Sequence, residues 1–176
     1  MRSLLLAAAV AALLPSSAPA QYPASQRATL TQNIAVTRVE ITYGRPVARD
    51  RALWGRLVPW DQVWHPGADS ASRFTVDQDI TVEGKPLPAG EYSLWMIARD
   101  GKPWTIIFSG AGRAFHRPYP GEAKDVLRVD VMPDTLSHVE SMTIDFPKVF
   151  QDEAVMRIQW GTLGASVDIK APWRRP

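Results

Sequence analysis

The chain has 176 residues, 20 of them Lys or Arg and 18 Asp or Glu, for a formal charge of +2 with neutral histidines, and it has no cysteine. So near a balance lacks the concentrated positive stripe that a phosphate backbone requires, and nucleic acid is not an expected partner. Without cysteine there are no disulfides, no thiolate catalysis and no Cys-ligated zinc.

At the N-terminus, Met1-Arg2 carries one positive charge, Leu4 to Leu14 is continuously apolar, and Pro15 breaks the run. Ala18-Pro19-Ala20 then places small residues where a signal peptidase reads. That order is the grammar of a cleavable secretory signal. The apolar run is short of the roughly 20 residues needed to span a bilayer. Residues 1–20 are therefore expected to be a signal peptide, with the mature chain starting at Gln21. The expected location is periplasmic or secreted, with no stable membrane insertion after cleavage. Residues 21–27 are expected to form a loose leader, 28–171 a single β-sandwich domain, and 172–176 a tail.

The next elements follow a period of two. Val39, Ile41 and Tyr43 alternate with Arg38, Glu40 and Thr42, which marks a strand with one wet and one buried face. Arg45 to Asp69 then abandons alternation. It gathers Arg45, Arg49, Arg51, Arg56, Trp54, Trp60, Trp64, His65, Asp61 and Asp69, and one short helical turn is expected around Ala52–Leu57. Two readings stand. In one the segment is a groove, with aromatic faces for apolar or sugar surface and Arg for a carboxylate or phosphate. In the other the three tryptophans plug one open end of the fold while Arg and Asp pair on its rim.

Strand alternation resumes at Phe74 and Val76, and again at Ile80 and Val82. Tyr92 to Ile97 is apolar on both faces after Leu94, which predicts a central strand. Asp100-Gly101 before Trp104–Phe108 predicts a hairpin, because both residues tolerate positive φ. Gly112 to Lys124 is a long basic and aromatic loop, read either as functional or as an ordinary solvated excursion. Further alternating runs begin at Leu127, Met142, Met156 and Val167, with Gly161-Thr162-Leu163-Gly164 expected to join the last two. The expected fold is all-β, a jelly-roll-like antiparallel sandwich of about nine or ten strands with a Trp/Arg/Pro-rich cover segment.

Several strings in this chain resemble the domain-of-unknown-function 2911 family. They are Tyr43-Gly44-Arg45-Pro46, Arg51-Ala52-Leu53-Trp54-Gly55-Arg56-Leu57-Val58-Pro59-Trp60, Val63-Trp64-His65-Pro66-Gly67-Ala68-Asp69, and Val82-Glu83-Gly84-Lys85-Pro86-Leu87-Pro88-Ala89-Gly90. The resemblance runs from about Ala28 to Ile169. It implies a single all-β domain exported by a bacterium, and it implies no reaction. It also implies Arg after Val63-Trp64 and Asn after Gly67-Ala68, where this chain has His65 and Asp69.

Catalytic signatures are sparse. His65, His116 and His138 are scattered, with no His-x-His and no His-Glu-x-x-His, so neither a metal nor a cofactor is expected. Asp61, His65 and Asp69 have helical spacing, but Pro59, Pro66 and Gly67 oppose a helix there. Ser109 lacks the first glycine of a nucleophile elbow. The expected function is a non-catalytic binding or envelope-associated module for a small-molecule or envelope ligand. The alternative is an exported hydrolase with an Asp/His/Arg site at one end of the sandwich. The residues expected to share a ligand-binding cleft are Tyr43, Arg45, Trp60, Trp64, His65 and Asp69, with Arg45 facing Asp69, another carboxylate or a ligand anion.

Overall fold

Alternating side chains become strands wherever the sequence places them, and strands with one apolar face must bury it against another layer. The computed structural model describes residues 25–173. The expected signal peptide and Gln21 lie outside the described residues, as does most of the expected tail. The strands are β1 (Gln26–Ile34), β2 (Thr37–Arg45), β3 (Val63–Trp64), β4 (Ser72–Val76), β5 (Ile80–Val82), β6 (Lys85–Leu87), β7 (Gly90–Ile97), β8 (Trp104–Ser109), β9 (Asp125–Val131), β10 (Asp134–Phe150) and β11 (Glu153–Lys170). Among the described residues, helix is confined to one 3-10 turn at Glu122–Lys124.

The strands form two antiparallel sheets. The first runs β1-β2-β4-β7-β8-β9, with β3 also paired to β7, and the second runs β10-β11-β5-β6. The fold is thus an all-β sandwich. Ile41, Phe74, Leu94, Met96, Ile106 and Phe108 from the first sheet share one core with Ile144, Met156, Ile158, Val167 and Ile169 from the second. Each such side chain contributes about 1.5–3 kcal/mol by leaving water. This core, without disulfides, holds the sheets together.

β7 is buried on both faces, as its composition predicts. Tyr92, Leu94 and Met96 enter the shared core, while Trp95 packs with Ile107 and Ala71 on the opposite face of the first sheet. Ala114 and Tyr119 of the 112–124 loop cover that second cluster.

The start of the cover segment ties the sheets at a corner. Past β2 the chain crosses to the free edge of β10, where Pro46 accepts from the Met142 amide at 2.9 Å and the Ala48 amide donates to Glu140 at 2.8 Å. Val47 bridges Ser141 between these bonds. Strands that change sheets at a corner are a standard way to close a sandwich.

Three local expectations differ from the structure. β1 begins at Gln26, inside the expected leader, because residues 26–34 pair along the whole of β2. Ala52–Leu57 forms no helical turn: the Leu57 amide reaches Ala52 and the Val58 amide reaches Leu53, bonds that close wide turns. Gly161 to Gly164 is no connection, since β11 runs through it. Gly161 takes φ 59° opposite Val139, between two register shifts. A glycine at positive φ is the residue a bulge needs, so the sequence signal for a turn marks a bend within one strand.

Candidate functional site

β3 and β4 both pair with β7 on the same side. Trp64 sits opposite Met96 and Ser72 opposite Leu94, so only Trp95 lies between the two paired positions. The chain nevertheless inserts residues 65–71 there as an outward excursion. Pro66 cannot donate to a ladder, and Asp69 adopts φ 67°, so this stretch cannot continue a strand. The Ser72 hydroxyl donates to the Pro66 carbonyl and closes the loop on itself. Gly44 of β2 provides its seat: a Cβ there would collide with the Ala68 carbonyl.

The 112–124 loop docks against this excursion. Phe115 bridges Ser70, the Ala71 amide donates to Ala114 at 3.3 Å, and His116 Nδ1 donates to the Asp69 carbonyl at 2.7 Å. Between the two loops and the cover segment lies a solvent-open cavity of about 400 Å³, within the size range of ligand sites. Trp64, Trp95, Trp160 and Tyr119 supply aromatic wall, and His65, His116, Arg49, Arg51 and Arg117 supply the nitrogen groups. Among the described residues, no Asp or Glu lines it.

His65 is the central polar group. It is 8% exposed, its ring lies 6.0 Å from Trp95 and 5.8 Å from His116, and its Nδ1 is buried without a hydrogen-bond partner. Burial pushes its pKa down to about 4, helped by the His116 and Arg117 charges and opposed by Asp69. The ring is therefore neutral at neutral pH. Tyr119 is fixed by donating to Asp125, which also takes Arg128 Nε at 2.6 Å. Burial and that bond to Asp125 push the phenol up to about 12, so it too stays neutral.

Of the six residues expected to share a cleft, Trp64 and His65 line the cavity and the other four do not. Tyr43 is buried, its hydroxyl accepting from the Ile144 amide at 3.0 Å and donating to the Ile144 carbonyl. Arg45 donates to the Met142 carbonyl at 3.2 Å and to Thr143 Oγ1 at 3.3 Å, not to Asp69 or any other carboxylate. Both residues serve the free edge of β10, whose ladder groups would otherwise lack partners. Trp60 stacks on Trp54 and leans on Trp104, so these two cover tryptophans act as a plug. Asp69 positions His116 through its backbone carbonyl.

Arg49 and Arg51, read in sequence as part of the groove segment but not among the six, also line the cavity, and so do five residues the sequence did not bring there: Trp95, His116, Arg117, Tyr119 and Trp160. The signal for three of them was the length and aromatic content of the 112–124 loop. Trp95 was legible only as a central-strand residue, and nothing local marks Trp160 as a wall.

Neither the curated proteins nor the solved structures include a match to this chain. Residues 25–169 match the family described as Protein of unknown function (DUF2911), so the chain belongs to that family.

Proposed function

We propose that the protein is a non-catalytic binding module acting outside the cytoplasm, and that it holds a small-molecule ligand in the Trp64–His65 cavity. The observation that carries this reading is the solvent-open cavity of about 400 Å³ itself, which gathers Trp64, His65, Tyr119, Arg49 and Arg117 from three separate segments of the chain. The arginine and histidine nitrogens supply polar partners, and a ligand group that meets a guanidinium gains charge-assisted hydrogen bonds. The aromatic wall supplies apolar area for the rest of such a ligand. Export rests on the signal-like residues 1–20.

The hydrolytic alternative gains less support. A histidine base is usually oriented by a carboxylate, and no carboxylate lines this cavity among the described residues. The test is native mass spectrometry of protein released from the cell envelope by osmotic shock. The wild type is expected to start at Gln21 and carry a bound small molecule, and His65→Ala to fold and lose it. A wild type that carries nothing, or a variant that keeps the same molecule, contradicts the binding reading. An uncleaved N-terminus contradicts export.

A further inference from the structure

We infer that the ligand is an organic oxyanion with a flat apolar body, its charged group held at Arg49 and Arg117 and its body against Trp64. This inference rests on the cavity being a binding site and adds the chemical class of what it takes. Among the described residues, three arginines and two histidines line the cavity and no Asp or Glu lines it with them; Asp69 and Glu140 stand behind the lining, near His65 and Arg51.

The arginines are not equivalent. Arg51 is committed to its own turn, with Nε on the Ala48 carbonyl at 2.8 Å and a terminal nitrogen on the Val47 carbonyl. The guanidinium groups of Arg49 and Arg117 make no hydrogen bond or ion pair among the described residues, whereas His116 and Tyr119, which flank Arg117 in its loop, are tied down. A guanidinium fork matches the two oxygens of a carboxylate or phosphoryl group.

The rest of the wall selects what the oxyanion is attached to. The indole N–H groups of Trp95 and Trp160 are already bonded, to Ser93 Oγ at 2.9 Å and to the Glu140 carbonyl at 3.2 Å. These rings, 1% and 2% exposed, back the wall and offer a ligand no free donor. The Trp64 indole N–H has no partner among the described residues, and its ring is half-buried at the cavity wall. Trp64 Nε1 is a donor only, so it favours an acceptor-rich ligand. A cation would meet like charge from three arginines, and a neutral acceptor would gain hydrogen bonds from them without the charge pairing.

Four probes of one shape separate these cases: phenylacetate, phenyl phosphate, the neutral isostere phenylacetamide, and the cation phenethylamine. The readout is the Trp64 indole N–H signal in a nitrogen–proton correlation spectrum, assigned with Trp64→Phe. Either anion is expected to shift that signal, with the amide and the amine weaker on the order of tenfold or more. Arg49→Gln and Arg117→Gln are each expected to weaken the anion by about tenfold while leaving the melting temperature unchanged. The preferred anion, carboxylate or phosphate, identifies which oxyanion the site reads. Amide or amine binding as tight as the anions, lost in His65→Ala, overturns the oxyanion class and leaves the cavity standing as a binding site. No shift with either anion at millimolar concentration, or anion binding indifferent to both arginine variants, also overturns the inference. Failure of the cavity itself is read separately, from retention of the co-purified molecule by His65→Ala.

Discussion

His65 is a histidine held neutral by its surroundings. It is buried, faces the His116 ring and the Arg117 charge, and receives only a weak opposing influence from Asp69. Its pKa falls from 6.5 to about 4 in the folded chain. Between those values the unfolded chain binds a proton that the folded chain does not. Stability therefore rises with pH across this window. The full contribution is present above about pH 6.5 and is lost as pH falls towards 4, an effect of about 3 kcal/mol. Urea midpoints measured from pH 7 to pH 4 should fall steeply in the wild type. His65→Phe, which fills the same space and cannot take the proton, should flatten that part of the curve. Parallel wild-type and variant curves would mean that His65 does not govern the acid limb. None of this was visible at residue 65 in the sequence, where a histidine between Trp64 and Pro66 reads as well on a wet rim as in a dry wall.

The 65–71 excursion explains why a short segment carries so much of the site. It leaves the sheet between two positions on β7, and it returns two residues along the same partner strand. Its seat is Gly44, in the middle of the end of β2, where any Cβ meets the Ala68 backbone carbonyl. Backbone cannot yield as a flexible side-chain tip does, so Gly44→Ala should lift the loop off β2 at a cost of about 1–3 kcal/mol. Amide exchange should then speed up across 65–71 and in the docked 112–124 loop, while β7 and β8 keep their protection. Unchanged exchange in both loops would show that Gly44 is not the seat. At this scale the sequence was most legible for local features. Alternation marked β2, β4 and β9, and Asp100-Gly101 marked the β7–β8 hairpin, with Gly101 at φ 61°. Less legible were β1, whose pairing depends on β2, and the bulged middle of β11, whose glycines resemble a turn until their partner strand is known. The docking of one loop on another was not legible, because Asp69 and His116 meet across 47 residues of chain.

For the molecule as a whole, the two sheets are joined by more than apolar area. β10 is an edge strand of the second sheet, and the end of β2 closes part of its free edge through Tyr43, Arg45 and the Pro46–Ala48 crossing. Tyr43 and Arg45 were read in sequence as cleft residues because they border the Trp/Arg segment, but Tyr43 meets Ile144 from 101 residues away, a relation no local pattern encodes. These links predict that the sheets do not unfold separately. Heating should give one cooperative transition with coincident near- and far-ultraviolet dichroism, and reductant should leave it unchanged because the chain has no cysteine. Tyr43→Phe is the sharper probe. It keeps the ring and its packing but removes the hydroxyl that serves both the amide and the carbonyl of Ile144, leaving those groups buried without that partner. The expected cost is about 1–3 kcal/mol, seen as a lower midpoint of one unsplit transition. Tyr43 is distant in role from the cavity, so the variant should still hold whatever His65 holds at temperatures where it is folded. A split transition in Tyr43→Phe would show that this edge contact is what makes the two sheets one unit. An unchanged midpoint would show that the apolar core alone suffices.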